Sequence, residues 1–193
     1  MLQSASKTGQ LCYVALDAYF STGPMFLILK TALDDNAQQL VHVITRSKKN
    51  YVGFLDREFS TKKYDDDDKF ILMDWFDFPE FFTTAKLSTY GKSRTIEYMC
   101  EDLLWRPIDD FVRFVCIKDG DGKYVLMCSD LNLSPIDIIT IYSYRSKIEV
   151  MFLFLKHLVG GFCYRFWTKS WPKLKRKKKS KLPTLKGLPR ISA

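Results

Sequence analysis

Apolar residues fall into short blocks separated by polar turns in the first quarter of the chain. Residues 11–20 form one such block with a single acid inside it, and residues 40–46 form a second. Each block predicts a buried strand. The intervening Ser-Thr-Gly-Pro segment is typical of a helix N-terminus and predicts a helix over 25–33. A strand, a helix and a strand in this order predict a crossover between two parallel strands.

The middle of the chain returns to β-type patterns after a polar stretch. Residues 51–54 predict a short strand, and the acidic run 65–68 predicts a solvated loop where like charges repel. The blocks 111–117 and 124–129 flank an Asp-Gly-Asp-Gly segment, which predicts a hairpin. A calcium loop is excluded there because the glutamate that it requires further on is missing.

A long helix is predicted toward the C-terminus. Ser134 suits the N-cap position, Pro135 the first turn, and helical spacing continues to about residue 158 before a Gly-Gly pair. Within this helix, offsets of 3, 7 and 14 residues fall within about 60° of one another. They place four chemically distinct side chains on one ribbon: Tyr142, Arg145, Glu149 and Lys156. The apolar residues between them are expected to bury the other faces.

The residue types on this ribbon suit the binding of a metal ion beside a phosphate backbone. The segment YSYRSKIEVMFLFLK resembles the signature of the bacterial and archaeal insertion-sequence transposases that cut DNA with a DDE triad. The resemblance implies that Glu149 is the last metal-binding acid and that Tyr142, Arg145 and Lys156 contact DNA phosphates. The alternative is an amphipathic helix with an i,i+4 pair between Arg145 and Glu149.

Asp17 lies near the end of the first predicted strand, at the edge where α/β sheets place their sites. A lone acid in an apolar strand is costly unless it is paired or bound to metal. The segment ALDAYFS resembles the strand that carries the second aspartate of the transposase triad, which makes Asp17 the second acid. Its alternative role is a helix-capping aspartate. The resemblance implies a two-metal site with Mg²⁺ or Mn²⁺, held here by Asp17 and Glu149.

The same resemblance implies an α/β chain with a partial ribonuclease H-like fold: strand, helix, strand, a β-rich insertion at about 51–130, and a C-terminal catalytic helix. The first triad aspartate should precede Asp17, but residues 1–16 contain none. We therefore expect the C-terminal part of a catalytic domain over 1–168, inactive alone, and a basic disordered tail over 169–193. Without its family neighbours, the first strand should leave an apolar edge exposed.

Charge is distributed unevenly along the 193 residues, whose net charge is +8. Residues 150–193 hold 12 of the 30 basic residues and no acid, which leaves 18 basic against 22 acidic residues before them. This polarity indicates a polyanionic partner. The turn that holds Arg46, Lys48 and Lys49 is either a DNA-backbone contact or simply an exposed basic turn.

The expected partner is double-stranded DNA, both element ends and target, bound by a homodimer. An apolar leader is not evident in the first ten residues, and charges interrupt the most apolar run, so no membrane contact and a prokaryotic cytoplasmic location are expected. Two other functions fit the composition. One is a noncatalytic DNA-binding or dimerising inhibitor of transposition, and the other is a membrane-surface protein that uses the basic aromatic tail.

Overall fold

A computed structural model describes residues 9–55, 63–89 and 92–157, and the protein is mixed α/β with a sheet at its centre. The chain divides into two compact units, 1–153 and 154–193. Almost all described residues belong to the first unit, and the predicted boundary at 168/169 lies outside them. The strands of the sheet are Cys12–Leu16 (β1), Val41–Arg46 (β2), Val52–Phe54 (β3), Lys69–Ile71 (β4), Thr83–Thr89 (β5), Lys92–Trp105 (β6), Asp110–Asp119 (β7) and Gly122–Cys128 (β8). The helices are Gly23–Lys30 (α1), Pro135–Ser143 (α2) and Ser146–His157 (α3).

The sheet order is β1-β2-β8-β7-β6-β3-β4, with β5 also paired to β6. β1 and β2 are parallel, in register from Cys12 opposite Val41 to Leu16 opposite Thr45, and α1 lies between them in sequence. The predicted strand, helix and parallel strand are therefore confirmed. The other pairings are antiparallel, and β6 is long enough to pair with β7 on one edge and with β5 and β3 on the other.

Alternating side chains of the central strands enter two separate cores. Phe114 of β7 belongs to one core together with Phe26 of α1, whereas its neighbour Val115 belongs to the other together with Ile138 of α2. Because successive strand residues point to opposite faces, α1 and α2 cover opposite faces of the sheet. The strands β7 and β8 are consequently apolar on both faces of the sheet.

The hairpin predicted from Asp-Gly-Asp-Gly joins β7 to β8 and is confirmed, with Asp119 opposite Gly122. Gly120 takes the first loop position with a φ of 56°, a backbone conformation that glycine adopts without steric cost. The acidic run is less solvated than expected. Asp65 caps a 3₁₀ turn over Asp66–Asp68. Asp68 is buried, and its carbonyl accepts a hydrogen bond of 3.0 Å from the amide of Leu55, directly after β3.

The prediction of one uninterrupted helix from 134 to about 158 is wrong. Ser134 does cap the first helix, accepting a hydrogen bond from the Asp137 amide at 3.1 Å, but α2 ends at Ser143 and α3 begins at Ser146. At the junction, the amides of Tyr144, Arg145, Lys147 and Ile148 each bond to the carbonyl three residues back, including Arg145 N–H to the Tyr142 carbonyl at 3.0 Å. This tighter hydrogen bonding forms a short 3₁₀ segment between α2 and α3, named here the 3₁₀ pinch. The sequence has no proline or glycine at this point that would have predicted it. The expected stop at the Gly-Gly pair lies outside the described residues.

The expectation that apolar residues of α3 are buried is also wrong. Ile148, Met151, Phe152 and Leu153 are each at least half exposed. Periodicity identifies apolar positions but not whether another element covers them. Within 9–55, 63–89 and 92–153, the described chain leaves this apolar surface in contact with solvent.

β1 lies at one end of the sheet, and no described strand pairs with its outer edge. Leu11 before it and Tyr19 and Phe20 after it are exposed, as the predicted apolar edge requires. Among the described helices, none is long and apolar enough to cross a membrane.

Candidate functional site

Asp17 directly follows β1 and begins a 3₁₀ turn over Ala18–Phe20. Its carbonyl accepts a hydrogen bond of 2.9 Å from the hydroxyl of Thr45, which is fully buried at the end of β2. The Asp17 carboxylate also accepts a long bond of 3.3 Å from the Tyr19 amide. The capping role is therefore present, and it leaves the second carboxylate oxygen for another partner.

That second partner is Arg145, 128 residues further along the chain. Its Nη2 atom forms an ion pair with Asp17 Oδ2, and the same nitrogen lies 3.1 Å from Glu149 Oε1. The two acids that the sequence singled out therefore meet at one guanidinium. The i,i+4 pair of Arg145 and Glu149, expected as the structural alternative, is also present. The two alternatives to metal binding, a capping Asp17 and an i,i+4 pair of Arg145 and Glu149, are therefore both present.

Both carboxylates are open to solvent, contrary to the expectation of a buried acid. The Asp17 side chain is 52% exposed and that of Glu149 is 66% exposed, whereas Arg145 is 26% exposed. Asp17 escapes the cost of burial because it sits one residue past the strand, at the sheet edge.

The donor set fits one divalent ion in part. Two contacts to one nitrogen place the carboxylate oxygens no more than about 6 Å apart. Oxygens that share one Mg²⁺ lie at most about 4 Å apart, a difference that rotation of two exposed side chains covers. Mg²⁺ commonly uses one or two protein carboxylates and takes phosphate oxygens and water for the rest. Among the described residues, no group of three or more His, Cys, Asp or Glu side chains could hold a metal ion.

Two tyrosines and a second arginine continue from this ion-pair cluster along the α2 face of the sheet. Tyr142, the last-turn residue of α2, is half-buried, and burial raises the pKa of its hydroxyl although the charges of Arg145 and Arg46 oppose this effect. Arg46, at the end of β2, places its guanidinium 5.1 Å from the ring centroid of Tyr124 on β8. The cluster therefore combines two tyrosine hydroxyls that stay protonated at neutral pH with the cations Arg145 and Arg46.

The two arginines differ in their electrostatic state. Arg145 is paired with two acids, whereas Arg46 is exposed and forms no ion pair within the described part of the chain. Its face is attracted to the Tyr124 ring, which fixes its direction and leaves its charge unneutralised. Arg46 is consequently the cation of this cluster best suited to an external anion.

Thr45 and Tyr124 belong to the site but were missed from the sequence. Thr45 carries no chemical signal, and it matters only because β1 and β2 are parallel and in register. Tyr124 was identified only as part of a hairpin strand. Its contact with Arg46 depends on the β2–β8 pairing, in which Arg46 lies opposite Leu126.

The other residues predicted to bind DNA make no contact with this cluster within the part of the chain that the structure describes. Lys48 and Lys49 are exposed in the turn after β2, where Lys48 lies 5.8 Å from the ring centroid of Tyr51. Lys156 belongs to α3, but its side chain is outside the described residues, as are the basic tail and its aromatic residues.

Comparison with known proteins adds no family. No protein-family model matches the chain, and no curated protein matches it.

Proposed function

We propose that this chain supplies two of the three metal-binding acids of a DDE transposase, Asp17 and Glu149, and that it binds the ends of a DNA element. In this proposal the α/β sheet corresponds to part of a ribonuclease H-like fold, with the β-rich region between β2 and α2 as its insertion. The protein would work as a dimer on double-stranded DNA in a prokaryotic cytoplasm.

One observation carries the proposal. Two acids selected from separate motifs, one directly after β1 and one on α3, contact the same nitrogen of Arg145. Acids that serve one metal must come from different elements and converge at one edge of a sheet. Convergence across 128 residues is not implied by either motif alone.

The chemistry proposed for the complete site is hydrolysis of a phosphodiester at the element end, followed by attack of the freed 3′-hydroxyl on target DNA. Bound Mg²⁺ would stabilise the charge that develops on the attacking and leaving oxygens. Asp17 and Glu149 would hold the ion, Tyr142 would donate a hydrogen bond to a phosphate oxygen, and Arg46 and Arg145 would pair with phosphates. A site with two acids should bind metal weakly and show no cleavage without a third.

DNA binding can be tested directly by fluorescence anisotropy with a short duplex over a salt series. Each phosphate contact contributes about 0.9 to the slope of log affinity against log salt concentration. We expect Arg46→Ala to reduce that slope by about 1 and to weaken binding equally for unrelated sequences. Glu149→Gln should leave duplex binding in place while weakening the binding of Mn²⁺.

Lys30→Ala is the matched control for this measurement. Lys30 is also a cation, but it pairs with Asp110 at the end of β7 away from the hairpin, and it should leave the salt slope unchanged. Failure of the wild-type chain to bind duplex at low salt would contradict the proposal. Equal slopes for wild type and Arg46→Ala would remove Arg46 from the interface.

A second candidate function is a noncatalytic DNA-binding inhibitor of transposition. The observation that favours it is the pairing of both acids with Arg145, because a chain of this kind can bind DNA without loading metal. Duplex binding without measurable Mn²⁺ binding, in the presence or absence of DNA, would favour the inhibitor.

A further inference from the structure

Arg145 lies between Asp17 and Glu149, the two acids proposed to hold a divalent cation. One guanidinium nitrogen contacts both carboxylates, so the two negative charges share a positive counterion that belongs to the protein. We infer that Arg145 is an exchangeable counterion of the site: it keeps the acids together without metal, and it leaves them for a DNA phosphate when metal binds. This inference rests on the proposed function and adds a regulatory step to it.

The exchange requires that the resident ion pairs be weak. The acids are 52% and 66% exposed, and ion pairs between exposed groups contribute little because water and salt screen them. The guanidinium fork matches the geometry of a phosphate as well as that of a carboxylate. Arg145 can therefore change partners without a large loss.

The backbone at Arg145 also permits movement. Arg145 lies at the 3₁₀ pinch between α2 and α3, where the hydrogen bonds skip from i−4 to i−3 acceptors. A 3₁₀ stretch inside a helical segment often marks a functional hinge. Tyr142, one turn before, has its ring held in the core that contains Ile138 and Ile139, so the pinch separates an anchored helix from an exposed one.

Competition between Arg145 and metal has a quantitative consequence. If the guanidinium must leave before a divalent ion binds, its removal tightens metal binding in the free protein. If DNA withdraws it, the metal and DNA bind with positive coupling, and that coupling falls by the same factor when Arg145 is replaced. The two factors must agree, because both measure the same displaced interaction.

The experiment measures Mn²⁺ binding to the full chain by electron paramagnetic resonance, with and without a short duplex. For Arg145→Gln we expect Mn²⁺ affinity in the absence of DNA to rise about threefold to tenfold, the range for loss of exposed ion pairs. Lys30→Gln removes a cation that pairs with Asp110 and contacts neither carboxylate of the site, and it should change that affinity less than about twofold. Asp17→Asn should weaken Mn²⁺ binding.

Several outcomes decide between the inference and the function on which it rests. Equal Mn²⁺ affinity for Arg145→Gln and Lys30→Gln would overturn the counterion role. Duplex binding with the same metal coupling in wild type and Arg145→Gln would overturn the exchange while the DNA function stands. Tighter Mn²⁺ binding by Arg145→Gln in a chain that never binds duplex would support the counterion and reject the DNA function. If Arg145→Gln does not fold by circular dichroism, Arg145→Met, which also removes the charge, takes its place, and an affinity unchanged from wild type would overturn the inference.

Discussion

The Tyr13 hydroxyl donates a 2.6 Å hydrogen bond to Asp130 Oδ2, across 117 residues of sequence. Tyr13 lies on β1, the strand that ends at Asp17, and Asp130 follows β8 and precedes the helix that carries Tyr142. Asp130 is nearly buried, and its other oxygen accepts the Asn132 amide at 2.9 Å. This bond ties the edge strand to the connection before α2, so it stabilises both segments that lead to the site.

Removing the Tyr13 hydroxyl should destabilise the fold. Tyr13→Phe keeps the ring, which stacks on His42 at a centroid distance of 5.8 Å, and deletes only the donor to a charged acceptor. We expect the free energy of unfolding to fall by about 1.5–3 kcal/mol, the range for hydrogen bonds to charged groups. Urea unfolding at neutral pH measures the change.

Tyr19→Phe is the control for this prediction, because Tyr19 is 79% exposed and its hydroxyl has no described partner. It should change the free energy of unfolding by less than about 0.5 kcal/mol. Equal effects of the two substitutions would show that the Tyr13–Asp130 bond is not formed in solution.

The same pair gives stability a pH dependence at both extremes. Burial alone would raise the pKa of Asp130, but the hydrogen bonds from Tyr13 and Asn132 and the charge of His42 lower it below its ordinary value. The stability that this ionised acid contributes is present above about pH 4 and is lost as pH falls through its lowered pKa. Burial, together with the bond to Asp130, raises the pKa of Tyr13, so its contribution is lost as pH rises above about 10.

Urea unfolding of wild type and Tyr13→Phe over a pH series checks these signs. The advantage of wild type over Tyr13→Phe should shrink below about pH 4 and again above about pH 10. An advantage that stays constant from acid to alkaline pH would contradict the assigned coupling between the two residues.

Arg113 and Asp102 form a second structural link near the site, between β7 and β6. Arg113 Nε and Nη2 donate to the two oxygens of Asp102 at 2.8 and 2.7 Å, and Nη1 donates to the Leu133 carbonyl at 2.9 Å, just before α2. A lysine cannot reproduce this three-way geometry. Arg113→Lys should therefore lower the free energy of unfolding by about 1–2 kcal/mol, measured by urea unfolding.

Arg94→Lys is the matched control for Arg113→Lys. Arg94 also pairs with an aspartate, Asp119, but its side chain is 43% exposed, and exposed pairs contribute about 0–1 kcal/mol. Similar losses for the two variants would mean that burial and the bond to Leu133 add nothing.

Local signals predicted the parts of the fold that depend on neighbouring residues. The β1–α1–β2 unit and the β7–β8 hairpin follow from apolar blocks bounded by turn residues, and both are present. The order of strands in the sheet could not be predicted, because β2 pairs with β8 through contacts about 80 residues apart, to which no local pattern refers. Tyr124 was missed at the site for this reason.

The helix over 134–158 shows the opposite limitation. Ser134 does begin the first helix, but the helical segment is interrupted at Tyr144 and Arg145, where the sequence has no breaker residue. Propensity is a weak constraint that tertiary contacts override.

The exposed surface of α3 includes a phenylalanine whose contribution to stability should differ from that of a phenylalanine in the core. Phe114 is 1% exposed in the core beneath α1, whereas Phe152 on α3 is 50% exposed. Phe114→Ala should lower the free energy of unfolding by about 3–5 kcal/mol, because it removes a buried ring and leaves a cavity. Phe152→Ala should cost less than about 1 kcal/mol, since its ring already meets solvent. Urea unfolding at two protein concentrations tests both values, and a large loss for Phe152→Ala that grows with concentration would show that α3 is covered by a second copy of the chain.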